Sequence, residues 1–200
     1  MKKVFFLFFI FAIIPFHGIS QTLENLDYIS PFHNDIAAVK KGEQWAFINT
    51  KGDIIIDFRF DLVLDNNNYP VFNADRCKIV KEKEGITYFG FIDTTGKIVI
   101  KPEFLNVTNF NNEYAIAVKL EKEELGRNDL LGKPVVSYSY IEVVINLNGE
   151  TINYLTQPTH ITLSDKYIRT PPVITSKFIS ENLVSLAGEN DKWTIKRIVK

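Results

Sequence analysis

Cysteine is almost absent from this chain of 200 residues: Cys77 is alone, so no disulfide can form within it. A fold without such staples must rest on its apolar core. Histidine is nearly as scarce, and His17, His33 and His160 have no partners at metal-ligand spacing. Neither sign of charge dominates, with 23 basic and 24 acidic residues. Such a chain lacks the clustered Lys and Arg of a nucleic-acid binder. There is no Gly-x-Ser-x-Gly, no His-Glu-x-x-His and no glycine loop for phosphate, which excludes the commonest hydrolase, metalloprotease and nucleotide-binding frames. Helical periodicity is also nearly missing, and only Lys119 to Leu131 has the pattern of a short helix.

One long apolar run is present, Val4 to Ile14, after Lys2 and Lys3 and before Pro15. Its eleven residues are too few for a helix across a bilayer, which takes about 20. That length suits the centre of a secretory signal peptide over residues 1–20. Gly18 and Ser20 place the cut ahead of Gln21; the alternative is an uncleaved anchor. No cysteine follows the run, so a lipid anchor is not expected, and no second run predicts a membrane span. Setting Lys2 and Lys3 aside leaves 21 basic against 24 acidic residues, a net charge of −3 over residues 21–200. The expected location is periplasmic or extracellular, which removes nucleic acid and cytoplasmic cofactors from the partners.

Laying the chain on itself with a shift of 44 residues aligns WAFINTKGDIIIDFRFD, from Trp45, with FGFIDTTGKIVIKPEFL, from Phe89. Seven of the 17 positions are identical: Phe47 with Phe91, Ile48 with Ile92, Thr50 with Thr94, Gly52 with Gly96, Ile54 with Ile98, Ile56 with Ile100 and Phe60 with Phe104. A third copy starts at Phe110 and resumes, after an insertion, from Ile141 to Ile152; a degraded fourth start runs from Phe178 to Trp193. Each copy predicts three strands: Ile36–Lys40, Trp45–Asn49 and Asp53–Asp57, then Cys77–Lys81, Phe89–Asp93 and Lys97–Lys101, then Ala115–Lys119, Ile141–Asn146 and Glu150–Tyr154. Glycine turns join the last two strands of each set, the signature of hairpins. Both faces of the middle strands are apolar, as stacked units require. The expected architecture is all-β, an array of hairpin or meander repeats with a period of about 44 residues, propeller-like or solenoid-like. Residues 21–155 form the repeat region, and 156–200 an atypical carboxy-terminal repeat or cap.

These residues resemble a known family. A Phe with an acidic or Asn turn, then Ala-Ala-Val-Lys, then Trp-x-Phe-Ile-Asn/Asp-x-x-Gly-x-Ile-x-Ile, is similar to the WG (or KWG) repeat of bacterial proteins. The matching stretches are Phe32 to Asp57 and Phe72 to Phe104, with the Lys101-Pro102-Glu103-Phe104 tail. The Trp-Gly pair itself departs: it stands as Trp45-Ala46, as Phe89-Gly90, and as Glu142-Val143 in the third copy. The resemblance implies a β-rich exported protein without common catalytic residues, and a binding or scaffolding role by analogy.

The remaining candidates read as structural. His33 occupies a turn position that the other copies fill with Asn73 and Asn111, and His160 reads as a strand-edge residue. Cys77 reads as a small buried hydrophobe, its alternative an intermolecular bridge or a reactive thiol. Asp61 to Asn68 is rich in oxygen but lacks calcium-loop spacing, so it reads as a surface turn. Asn106-Val107-Thr108 is a formal sequon, Asp93-Thr94-Thr95 a possible O-glycan site, and both are placed at turns. The insertion Leu120 to Pro134, flanked by Tyr138 and Tyr140, is either a binding loop or a solvated hairpin extension. No catalytic, metal-ligating or cofactor-binding residue is assigned, no cofactor is expected, and the binding residues stay open. The function this predicts is a non-catalytic exported protein presenting its repeat surface to a protein or glycan of the cell envelope. The alternative is a secreted hydrolase with paired carboxylates.

Overall fold

Short apolar strands, interrupted every few residues by a turn that demands positive φ, fold into successive antiparallel meanders. The computed structural model describes residues 23–128, 132–164, 168, 170–188 and 192–198; the segment read as a signal peptide lies outside them. Among the described residues every regular element is a strand. A short β1 (Tyr28–Ile29) leads into the first meander, β2 (Ile36–Lys41), β3 (Gln44–Asn49) and β4 (Ile54–Arg59). The second is β5 (Cys77–Lys83), β6 (Ile86–Ile92) and β7 (Ile98–Val107), and the third β8 (Tyr114–Asn128), β9 (Lys133–Asn146) and β10 (Thr151–Tyr154). Strand β11 (Thr159–Ile161) pairs with β9, and a fourth meander follows as β12 (Lys177–Ser180), β13 (Leu183–Ala187) and β14 (Trp193–Arg197). The expected all-β array of meander repeats is what forms, among the described residues in three open sheets with no closed barrel.

Each unit hands its last strand to the next. The first half of β7 pairs with β6, as Phe91 with Ile100, and its second half with β8, as Val107 with Ala117. Between the first two units the same transfer shrinks to a bridge of Leu62 with Ile79. Two-residue turns open the units: His33 pairs with Ile36, Asn73 with Arg76 and Asn111 with Tyr114. Asn34, Asp35, Ala74, Asp75 and Asn112 within them have φ between 47° and 62°, as hairpin turns matched to strand twist require.

The turns closing the units share one side-chain device. Asn49 Oδ1 accepts the N–H groups of Lys51 and Asp53 at 2.9 and 3.0 Å. Asn146 Oδ1 accepts those of Asn148 and Glu150 at 2.9 and 3.0 Å, and Asp93 Oδ1 those of Thr95 and Lys97 at 2.9 and 3.1 Å. Asn and Asp recur there because a short side-chain acceptor can close the turn on itself. Asp93 alone titrates: the Thr95 hydroxyl, 2.6 Å away, holds its carboxyl below the ordinary carboxylate value, with the two backbone N–H groups adding to this. A depressed pKa means a contribution present above the unfolded value, about 3.9, and lost as pH falls through the folded value. Solvent screening keeps it small. Asp93→Asn is therefore expected to keep the turn and to lessen the acid sensitivity of unfolding below about pH 4. An unchanged acid limb in urea melts taken from pH 2 to 7 would contradict this.

Units stack through the same turns. A Cβ on Gly96 would stand 3.2 Å from Ile56 Cγ2, and one on Gly149 3.0 Å from Ile100 Cγ2, so each turn lies on the third strand of the preceding unit. Arg59 Nη1 donates to Gly96 O at 3.2 Å and Arg76 Nε to Leu147 O at 3.1 Å, repeating that relation. Trp45, Phe47, Ile56, Phe72, Cys77, Ile79 and Ile92 form the core between the first two units. Phe91, Ile100, Phe104, Phe110, Ala117 and Val143 form the next.

Two expectations need correction. The helix expected over Lys119 to Leu131 does not form in its described part: residues up to Asn128 continue β8 as a strand paired with β9, because cross-strand partners outweigh weak helix propensity. Phe60 and Phe104 are not equivalent. Trp45 pairs with Arg59, whereas Phe89 pairs with Phe104, so the second unit holds one more residue in its bulge. Phe60 is 71% exposed and Phe104 fully buried.

Candidate functional site

Two surfaces stand apart from the repeating core. The first is a row of rings beside the first unit. Tyr28 stacks on Tyr69 with centroids 6.0 Å apart, His33 stacks on Tyr69 at 6.4 Å, and Trp45 meets Tyr28 edge-on at 5.8 Å. Lys40 Nζ lies 5.8 Å from the centroid of the Trp45 ring, a cation–π distance. His33 Nε2 is 3.4 Å from the Tyr69 hydroxyl, so the turn residue read from sequence also packs its ring. Tyr28 is 42% exposed, and Phe32 is exposed as well. The cavity beneath, about 10 Å³ between Ser30, His33, Tyr69 and Phe72, holds at most one water.

The second surface is a projecting hairpin arm. Strands β8 and β9 continue well past their neighbours β7 and β10, pairing Leu120 with Tyr140, Lys122 with Tyr138 and Arg127 with Pro134. The insertion is thus a hairpin extension rather than an irregular loop. Leu120, Tyr140 and Ile161 pack its root against Tyr88, Leu105 and Val118. Farther out Glu123 and Glu124 are exposed, Glu121 is half-buried, and a register shift at Glu124/Gly126 leaves Leu125 62% exposed. Strand β11 lies along β9, and between arm and strand runs an open groove of about 550 Å³ lined by Lys119, Glu121, Glu123, Ser139, Pro158 and His160. His160 is in β11, as its strand-edge reading expected, with Nδ1 3.4 Å from Ser137 Oγ. That pair is exposed and long for a nucleophile and its base.

The other candidates serve the fold. Cys77 opens β5 fully buried, and burial pushes its thiol up to about 12, so it is unreactive where it stands. Asp61 accepts from Nε and Nη2 of Arg59 at 2.6 and 2.8 Å, and Asp65 Oδ1 accepts the Asn67 N–H at 2.7 Å, closing the Asn-rich turn. Asn106 lies in β7 and not in the turn expected of it; its Nδ2 donates to Pro172 O at 2.8 Å. Thr95 does sit at a turn, with its hydroxyl on Asp93.

Sequence reasoning missed Glu142. It occupies the position of Trp45 and Phe89, yet is 4% exposed and fully bonded. Its Oε1 accepts the N–H and the hydroxyl of Thr175, both at 2.8 Å, and its Oε2 accepts the Ser176 N–H at 3.0 Å. The carboxylate thereby ties the segment entering the fourth meander to β9 of the third unit. The departure from the repeat at Glu142-Val143 was the visible signal, and only the fold shows what replaces the ring.

The fold and these surfaces define an all-β repeat protein of stacked antiparallel meanders. The WG-containing repeat family matches residues 25–45, 45–68 and 89–122, so the chain carries WG repeats at those places. No curated protein and no solved structure matches the chain.

Proposed function

We propose that this chain is a non-catalytic, exported binding or scaffolding protein of the bacterial cell envelope that engages a protein or glycan through its repeat surface. The observation that carries the reading is the arm, a paired hairpin anchored at its root on the array while its charged flank and Leu125 face solvent. Specificity is commonly placed on such projections from a rigid scaffold. The signal-like segment at residues 1–20 supports export, and the mildly acidic charge argues against nucleic acid.

The test compares the native protein with a variant in which residues 121–139 are replaced by a two-residue turn. Cosedimentation with envelope fractions, untreated or protease-treated, reads binding and separates protein from glycan ligands. Retention of the native protein and a loss of at least tenfold in the shortened variant are expected. Turnover of envelope polysaccharide or peptide, abolished by substituting one pair of acids, would replace this reading with the hydrolase.

A further inference from the structure

One face of the arm is hollowed into a trough. Residues directly opposite one another in antiparallel strands share a face. The pairs Glu121–Ser139 and Glu123–Ser137, with His160 opposite Ser139, therefore set five side chains on the same side of β8, β9 and β11. Nearer the array β9 fills that face with bulk, where Ile141, Val143 and Ile145 belong to the core. In the arm it carries Ser137 and Ser139 instead. Small serines between the two glutamates on one side and His160 and Pro158 on the other leave the open groove of about 550 Å³, a volume within the range of ligand sites. Charge on an exposed hairpin by itself guards its edges, but edge protection gives no reason for the serine floor.

The polar groups of the trough are free to take a ligand. Among the described residues neither Glu121 nor Glu123 has a hydrogen-bond or ion-pair partner. Lys119, the cation on the same face of β8, is drawn away, with Nζ 5.7 Å from the centroid of the Tyr154 ring. The Ser137 hydroxyl lies 3.4 Å from His160 Nδ1, which steadies the imidazole and leaves its Nε2 open. The main chain beneath is closed, because over Tyr138–Tyr140 β9 pairs with β8 on one side and with β11 on the other. A ligand there is read by side chains alone, which rules out a peptide added as a strand. The lining is mostly polar, without the aromatic pocket in which a protein partner buries its anchor. Resting on the arm as the binding element, we infer that this trough is a subsite for a neutral, hydroxyl-rich sugar chain. The two carboxylates accept from sugar hydroxyls in charge-assisted bonds, and Ser139 and His160 Nε2 complete the set. Two carboxylates against one lysine repel chains that carry uronate or phosphate.

Amide spectra of the isotope-labelled protein, produced from its whole coding sequence and titrated with maltohexaose, chitohexaose and hexagalacturonate, test this. At least one of the two neutral hexasaccharides is expected to shift the amides of residues 119–123, 137–141 and 158–161, and hexagalacturonate to leave them in place. The E121A/E123A double variant, and separately Ser139→Trp, which fills the floor, are each expected to weaken binding at least tenfold at unchanged spectral dispersion. Glu124→Ala removes a carboxylate from the other face of β8 and is expected to bind as the native protein does. No shift with either neutral sugar, shifts confined to other residues, equal binding of hexagalacturonate, or full binding by E121A/E123A overturns the subsite. Envelope retention that is abolished by replacing residues 121–139, yet left whole by E121A/E123A and S139W, overturns the trough and keeps the arm. Retention unaffected by replacing the arm overturns both.

Discussion

Replacing Gly90 by alanine is expected to destabilise the protein by about 3 kcal/mol or more, at or beyond the upper end of overpacking costs. A Cβ there would stand 2.4 Å from Ile100 O, 2.6 Å from Pro102 N and 2.7 Å from Lys101 C. All three are backbone atoms, so no side-chain rotation relieves the clash. The cause is the bulge opposite. Phe91 pairs with Ile100 and Phe89 with Phe104, so Lys101, Pro102 and Glu103 together face Gly90. Proline suits that position because a bulged residue owes no N–H to the ladder. In the first unit only Asp57 and Phe58 face Ala46, between the pairs Phe47–Ile56 and Trp45–Arg59, and the alanine methyl is accommodated fully buried. Ala46→Gly should therefore cost less, about 1–2 kcal/mol, from the entropic penalty of glycine in a strand and the loss of one buried methyl. Denaturant midpoints for the two variants, at unchanged slope, measure the contrast. Equal losses would show that the bulge does not govern the second residue of the Trp-Gly pair.

That contrast also marks where sequence reasoning stops. The 44-residue shift finds the strands and turns because alternation and positive-φ positions are local and survive divergence. Asn49, Asp93 and Asn146 keep the same acceptor in three turns, and the strand ends at those turns fall close to those read from the pattern, whereas β7, β8 and β9 run well beyond the expected bounds at their other ends. A gapless shift cannot register an added residue, so it equated Phe60 with Phe104 although one faces solvent and the other the core. The arm was harder for a different reason. Glu121 to Glu124 have a helix-former composition, and only their partners across β9, Ser139 to Val136, make them a strand. Ring stacking of Tyr28 on Tyr69 joins residues far apart in sequence, and nothing local foretells it. The fourth meander was legible as a degraded start at Phe178, but the order of its strands was not.

The carboxylate of Glu142 is where a break in the repeat has the largest consequence. Glu142→Ala is expected to cost about 4 kcal/mol, since it leaves two N–H groups and a hydroxyl without their acceptor at about 1–3 kcal/mol each, and such losses do not add fully. Glu142→Gln keeps one oxygen but turns an amide NH₂ toward the donor that the second oxygen served, for a loss of about 2 kcal/mol. Glu142→Phe is the sharper probe. It restores the aromatic that the repeat carries at Trp45 and Phe89, and a view based on repeat consensus predicts stabilisation. The geometry predicts the opposite, because Thr175 and Ser176 approach with donors that a ring cannot satisfy. The damage should also be local. The segment held by Glu142 leads straight into β12, while β2 to β4 share no contact with it in their core. Amide exchange is therefore expected to accelerate across β12, β13 and β14 well before it changes in the first sheet. Uniform acceleration, or a Glu142→Phe variant as stable as the native chain, would show that the clasp is incidental. A local loss would show that one buried carboxylate couples the fourth meander to the array.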